Sequence, residues 1–186
     1  MPIGAGREEE VDVDGELEQV GEKWRLRFTR HLRHPVERVW TAITEADDLK
    51  AWFPDSVRGD WRVGATLTFG PAGMDAFTGE VLVVDPPRAL EFTWGTDLVR
   101  FELEATDDGC VLTLLDTLDE LGKAARDSAG WHVCVDKLEA HLAGNAPDWT
   151  DGERWQQLNP AYAEKFGPAA ATIGPPEGWD DAQSQG

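Results

Sequence analysis

The chain has 186 residues, 41% of them hydrophobic, which is enough for one domain with a buried core that needs neither metals nor disulfides. Its net charge of −19, from 36 acidic and 17 basic residues, argues against a nucleic-acid partner and against binding to anionic membrane surfaces. No apolar run could span a bilayer and the N-terminus lacks the pattern of a signal peptide, so we expect a cytoplasmic protein without membrane insertion.

The chain begins with an acidic segment, residues 1–23, which has few large apolar side chains to bury. We expect a loose acidic arm there, with room for a short strand at its end. From Trp24 onward, apolar and polar residues alternate, with Leu26 and Phe28 on one face and Arg25 and Arg27 on the other. This alternation predicts the first half-buried strand.

Two short helices are predicted next. A proline at the first helical position, Pro35, precedes apolar residues at helical spacing up to Ile43. Thr44 and Asp47 then have the spacing of an N-terminal cap for a second helix, which Pro54 ends.

Between residues 56 and 118, short runs of β-branched and aromatic residues alternate with turn signals, which predicts an antiparallel meander. The longest predicted helix, residues 123–142, follows. Its apolar residues recur every three or four positions and form one stripe: Trp131, Cys134, Val135, Leu138 and Leu142.

The remaining segment, residues 145–186, is acidic and contains tryptophan. Asn159 and Pro160 resemble a cap followed by a first-turn proline, so we expect a short helix from there to Gly167. After about Pro175 the sequence is polar and terminal, and we expect disorder.

This order of elements resembles the START-like, or SRPBCC, superfamily. Residues 34–44 (HPVERVWTAIT) and 49–54 (LKAWFP) are similar to the group homologous to the C-terminal domain of the heat-shock-protein-90 ATPase activator. Further matches are Gly79-Glu80-Val81, residues 86–90 (PPRAL), Val63-Gly64-Ala65 and Gly130-Trp131. The resemblance covers about residues 24–144.

The resemblance implies an α+β helix-grip fold, in which a curved antiparallel sheet of six or seven strands wraps around the long helix. We therefore expect three parts: the arm at 1–23, the helix-grip domain at 24–144, and a partly helical extension at 145–186. A curved sheet that one helix cannot fill leaves an apolar concavity, which is where ligands commonly bind.

Nine residues are predicted to contact a ligand in that concavity. They are Trp52, Phe53, Phe69, Phe77, Trp94, Phe101, Asp116, Trp131 and Val135. The tryptophans are as compatible with ordinary core packing as with a pocket. Asp116 interrupts an apolar alternation: it either lies in water at a strand end, which is the commoner outcome, or is a buried carboxyl with a raised pKa.

No motif for nucleotide binding, zinc binding or a nucleophile elbow occurs, and Cys110 and Cys134 have no ligand spacing. We therefore predict no catalytic residues, no metal ligands and no cofactor. Buried free thiols are the expected state of the two cysteines.

Three functions remain open. The first is binding of a small hydrophobic or aromatic molecule. The second, implied by the resemblance, is a co-chaperone-like or stress-related role with a chaperone as protein partner. The third is a cyclase- or aromatase-like enzyme, for which Asp116 and His132 would be the first residues to mutate. The sequence is compatible with a monomer or a homodimer.

Overall fold

A computed structural model describes residues 10–70 and 75–174 of the protein. The helices are α1 (Val36–Thr44), α2 (Ala46–Trp52), α3 (Ala124–Leu142) and α4 (Asp151–Phe166). The strands are β1 (Glu16–Val20), β2 (Lys23–Leu32), β3 (Val57–Arg58), β4 (Thr66–Phe69), β5 (Phe77–Asp85), β6 (Ala89–Trp94), β7 (Asp97–Thr106) and β8 (Gly109–Leu118). The predicted turn at residues 70–73 lies mostly outside the described residues, and the predicted disordered end lies entirely outside them.

The eight strands form one curved antiparallel sheet in the order β1-β2-β8-β7-β6-β5-β4-β3. The helix-grip prediction is confirmed, since α1 and α2 follow β2 and the long helix α3 follows the last strand. Six or seven strands were predicted. The sheet has eight because β1 and the two-residue β3 add short strands at its two edges.

The meander has a tight point where β5 passes β6. A Cβ atom on Gly79 would lie 2.0 Å from the carbonyl oxygen of Thr93, so only glycine fits there. The register between the two strands then shifts between Val81 and Val83, which marks an irregularity of the bulge type. Bulges of this kind bend a sheet, and here the bend accompanies its curvature around α3.

The long helix begins and ends within one residue of its predicted bounds, and all five residues of its predicted stripe are buried. One stripe does not describe it fully, because His132, Val133 and Ala129 on another side are buried as well. The reason is α4, which packs along α3 and covers the side that a two-layer fold would leave in water. None of the described helices is both long and apolar enough to cross a membrane.

Two helix starts differ from the predictions. Thr44 does not cap α2, because its hydroxyl donates to the carbonyl of Trp40, one turn back in α1. In the extension, Asn159 and Pro160 lie inside α4 rather than at its start. The helix begins nine residues earlier, where Thr150 and Glu153 form a reciprocal capping box that satisfies two backbone N–H groups.

The two ends of the described chain meet at Tyr162 of α4, whose side chain is fully buried. Its hydroxyl accepts a hydrogen bond from the backbone N–H of Gly15 at 3.0 Å and lies 2.8 Å from Nδ1 of His132 in α3. Nearby, Arg30 of β2 pairs with Asp14 at 2.7 Å and with Asp136 of α3 at 3.0 Å. These contacts hold residues 10–15, the sheet, α3 and α4 together.

Candidate functional site

The seven aromatic residues of the predicted site form one cluster between α2, α3 and the sheet. The Phe53 ring is central, with its centroid 5.5 Å from Trp52, 6.2 Å from Phe69, 6.1 Å from Trp94 and 6.0 Å from Trp131. The other two rings join through these: Phe77 lies 5.2 Å from Phe69, and Phe101 lies 5.9 Å from Trp52. Val135 is buried on the same stripe of α3.

Beside this cluster is a cleft of about 360 Å³, within the size range of small-molecule sites. It lies between the end of α2, the end of β6, the first half of α3 and the start of α4. Its lining residues are Trp52, Pro54, Asp55, Trp94, Arg126, Asp127, Gly130, Trp131, Val133, Cys134, Lys137, Asp151 and Trp155. We call it the tryptophan cleft, after Trp52, Trp94, Trp131 and Trp155.

Three of the nine predicted site residues, Trp52, Trp94 and Trp131, line this cleft. The other six, Phe53, Phe69, Phe77, Phe101, Asp116 and Val135, are not part of its lining. Phe69 and Phe101 are almost completely buried, and their rings contact neighbouring rings of the cluster. They therefore support the cleft walls from behind.

Sequence reasoning missed the contribution of α4 and of the loop after α2. Trp155 and Asp151 of α4 form one side of the cleft, and Pro54 and Asp55 form another. The Thr150 and Glu153 capping box could have predicted the start of α4 from the sequence. The three-residue spacing of Trp155 and Leu158 could have predicted its buried face. That this face packs on α3 could not be read from the sequence.

Asp116 of β8 is fully buried, so the expectation that it lies in water at a strand end is wrong. Its Oδ2 accepts a hydrogen bond from the indole Nε1–H of Trp131 at 2.8 Å, while Oδ1 has no hydrogen-bond partner among the described residues. Burial raises the pKa of Asp116 well above its ordinary value, and the nearby charge of Asp97 raises it further, against the opposing effect of the Trp131 hydrogen bond.

Asp116 belongs to a group of three acids with Asp97 of β7 and Asp127 of α3. Each offers a carboxylate oxygen within 4.8 Å of the others, a spacing at which a divalent cation can be held. The ammonium of Lys123 already lies 3.0 Å from Asp97, and Arg126 lies 2.7 Å from Asp127. Cations of the chain itself therefore contact two of the three acids, although burial raises the pKa of Asp97 against the opposing effect of Lys123.

The charged groups that line the tryptophan cleft are mostly paired. Arg126 contacts Asp127 at 2.7 Å, and Lys137 contacts Asp151 at 3.0 Å. Asp55 accepts a hydrogen bond from the Nε1–H of Trp94 at 3.0 Å. Burial raises the pKa of Asp55, and the Trp94 hydrogen bond partly opposes that shift.

Both cysteines are free and buried, as predicted. Burial raises the pKa of Cys134 to about 12, so its thiol remains protonated although the residue borders the cleft.

The curved sheet, the two short helices after β2 and the long closing helix define a START-like protein with the helix-grip fold. A family model described as "Activator of Hsp90 ATPase homolog 1-like protein" matches residues 33–143, which is more than half of the chain. The protein therefore belongs to this family, and the predicted resemblance is confirmed. No curated protein matches the chain in sequence.

Solved structures support the same fold. CalU16 from Micromonospora echinospora is similar with a TM-score of 0.66 and 24% identity, over 82% of this chain and 98% of that one. A conserved protein of unknown function from Enterococcus faecalis has a TM-score of 0.69 and 21% identity, over 82% and 90% of the two chains. DynU16, a protein in the dynemicin biosynthetic locus, has a TM-score of 0.60 and 26% identity, over 68% of this chain and 50% of its own.

Proposed function

We propose that this protein binds a small hydrophobic or aromatic molecule in the tryptophan cleft, beside the long helix. The support is the cleft itself, a space of about 360 Å³ whose walls include Trp94 and the apolar side of the first half of α3. DynU16, whose structure is similar, is a protein in the dynemicin biosynthetic locus, and such a biosynthetic context is compatible with small-molecule binding.

One residue carries the proposal. Gly130 lies in the interior of α3, where glycine costs about 1 kcal/mol of helix stability relative to alanine. Glycines that are needed structurally usually have a positive φ or a close neighbour, yet Gly130 has neither: a Cβ added to it would have no atom within 4 Å. The space in front of it is the cleft. Because no side chain fills the space beside Gly130, this part of the α3 wall is available to a ligand.

The test is to fill that space from Gly130. In Gly130→Leu the new side chain occupies the cleft, and the substitution favours the helix, so the variant should fold at least as stably as the wild type. Gly130→Ala is the matched control, since it makes the same helix improvement but leaves most of the cleft open. The probe is the neutral fluorophore N-phenyl-1-naphthylamine, followed by its emission and by quenching of tryptophan fluorescence.

We expect Gly130→Leu to weaken probe binding about tenfold or more, and Gly130→Ala by no more than about twofold to threefold. The melting temperature of each variant, measured by circular dichroism, verifies that the fold is intact. Equal binding by the wild type and Gly130→Leu, or no binding by either, contradicts the proposal.

Two other functions carry less support. Neither Asp116 nor His132 lines the cleft, so the two residues that the enzyme hypothesis would mutate first are not placed to act on a molecule bound there. A co-chaperone-like or stress-related role in the cytoplasm is supported only by family membership. An ATPase assay and a pull-down with the host chaperone test it, and a null result in both removes it.

We further propose that residues 24–144 form the family core, which the match to residues 33–143 supports. The extension from residue 145 would then be an addition that supplies one wall of the binding site through Asp151 and Trp155.

A further inference from the structure

The tryptophans of the cleft wall differ in how much ring surface they expose: Trp94 is half-buried, Trp155 is 8% exposed, and Trp52 and Trp131 are almost completely buried. All four indole N–H groups already donate to acceptors of the protein. The acceptors are the carbonyl of Ala42 for Trp52 (2.9 Å), Asp55 for Trp94 (3.0 Å), Asp116 for Trp131 (2.8 Å) and the carbonyl of Arg126 for Trp155 (3.3 Å). A ligand in the cleft therefore meets mainly the ring surface of Trp94, whose N–H already has an acceptor in Asp55.

The charge of the cleft is negative by one. Its two cations, Arg126 and Lys137, each have a carboxylate partner within 3.0 Å, namely Asp127 and Asp151. The fifth charged residue of the lining, Asp55, has no cation within ion-pair distance among residues 10–70 and 75–174. Its one hydrogen-bond partner among them is Trp94. Asp55 is half-buried, so water stabilises its charge only in part.

We propose that the ligand of the tryptophan cleft carries a cationic ammonium group, which binds against the exposed ring surface of Trp94 and pairs with Asp55. This inference rests on the proposed function and adds the chemical class of the ligand. Cations are attracted to the negative face of an aromatic ring, most strongly to tryptophan, and the interaction strengthens where water is excluded. A half-buried carboxylate without a cation next to such rings supplies the counter-charge.

The other ligand classes fit less well. An anionic ligand would have to displace Asp127 or Asp151 from the cations that they already pair with. A neutral apolar ligand would leave the Asp55 charge further desolvated and unpaired, which is unfavourable. The net charge of −19 acts in the same direction, because it raises the local concentration of cations around the protein.

The experiment compares two ligands of the same shape. One is (2-naphthylmethyl)trimethylammonium, and the other is 2-neopentylnaphthalene, in which a neutral carbon replaces the ammonium nitrogen. Each competes with N-phenyl-1-naphthylamine for the full-length protein, and the ratio of the two affinities is the readout. We expect the ammonium compound to bind about tenfold more tightly than its neutral isostere.

The variant that tests the site is Asp55→Asn, which removes the charge but keeps an oxygen to accept the Trp94 N–H. We expect the affinity ratio to fall to about one to two in this variant, because the ammonium compound loses its partner and the neutral compound no longer desolvates a charge. Asp148→Asn is the matched control, because it removes one charge from an exposed residue outside the cleft lining and should keep the ratio of the wild type.

The outcomes separate the two proposals. If both compounds bind the wild type equally, or the neutral one binds better, the ammonium inference is overturned and the binding function stands. If the preference survives in Asp55→Asn, the pairing with Asp55 is overturned. If neither compound displaces the probe and the probe itself does not bind, both proposals fail together.

Discussion

Removing one oxygen atom, in the variant Tyr162→Phe, tests whether residues 10–15 and α4 belong to the same cooperative unit as the sheet. Phenylalanine keeps the ring contacts of Tyr162 with Phe28 and Phe166, whose centroids lie 6.3 Å and 5.4 Å away. It removes the acceptor of the Gly15 N–H and the hydroxyl that contacts Nδ1 of His132.

The magnitude follows from burial. Gly15 is buried, and a buried N–H left without a partner costs about 1–3 kcal/mol. The lost contact to the imidazole of His132 adds about 0.5–1.5 kcal/mol, so we expect Tyr162→Phe to lower the free energy of unfolding by about 2–4 kcal/mol in all. Urea denaturation followed by tryptophan fluorescence measures this change, with the slope against urea concentration as the check that unfolding remains two-state.

The control is Thr41→Val, which removes an exposed hydroxyl from α1 that donates only to the carbonyl of Glu37. Its cost should stay within about 0.5 kcal/mol. A cost equally small for Tyr162→Phe would refute the reasoning, because it would mean that the Gly15 and His132 groups find other partners and that the two chain ends are not held by this hydroxyl.

Three further predictions concern buried groups. Burial raises the pKa of Asp116, so the folded state keeps this carboxyl protonated at pH values at which the unfolded chain has already ionised it. The wild type should therefore lose stability relative to Asp116→Asn as pH rises from about 4 to 7. Burial lowers the pKa of His132, partly opposed by the charges of Asp136 and Asp14, so the folded state disfavours its protonation. The wild type should therefore lose stability relative to His132→Asn as pH falls from about 7.5 to 5.5. Urea midpoints across pH measure both differences, and a difference that does not change with pH contradicts the prediction in either case. Gly79→Ala should unfold at much lower temperature than the wild type or fail to accumulate, because its Cβ would overlap the Thr93 carbonyl; a melting temperature within a few degrees of the wild type argues against that clash.

Part of the candidate site was readable before the structure. The tryptophans Trp52, Trp94 and Trp131 were singled out because each lies where a helix or strand should face the concavity, and all three line the cleft. Asp55 and Gly130 carry the two proposals, yet their roles could not be read locally. Asp55 follows a proline after α2, and nothing in its neighbouring sequence distinguishes it from other acidic loop residues. The space beside Gly130 depends on how α2, β6 and α4 are placed around α3.

The burial of Asp116 also could not be predicted from its neighbours in the sequence. Alternation correctly put it on the inward face of β8, but charged residues at inward positions are usually near water, which favoured the wrong expectation. Its environment comes from Asp97 on the neighbouring strand and Trp131 on α3, at positions 19 residues before and 15 residues after it. The spacing of these residues along the sequence does not show that their side chains contact one another in the folded protein.

What the sequence by itself determined is the helix-grip fold: the bounds of α3 and its stripe, the antiparallel meander and the family. The elements depend on local periodicity and turn residues, which act over a few positions along the chain, and the family and its fold were implied by the resemblance of residues 34–44 and 49–54. Only the tertiary structure decided that α4 covers a second side of α3, that the indole N–H groups of the four cleft tryptophans are engaged, and that Asp55 has no cation partner within the described part of the chain. Those properties depend on which distant surfaces meet and which charges find partners, and that is settled by packing in three dimensions.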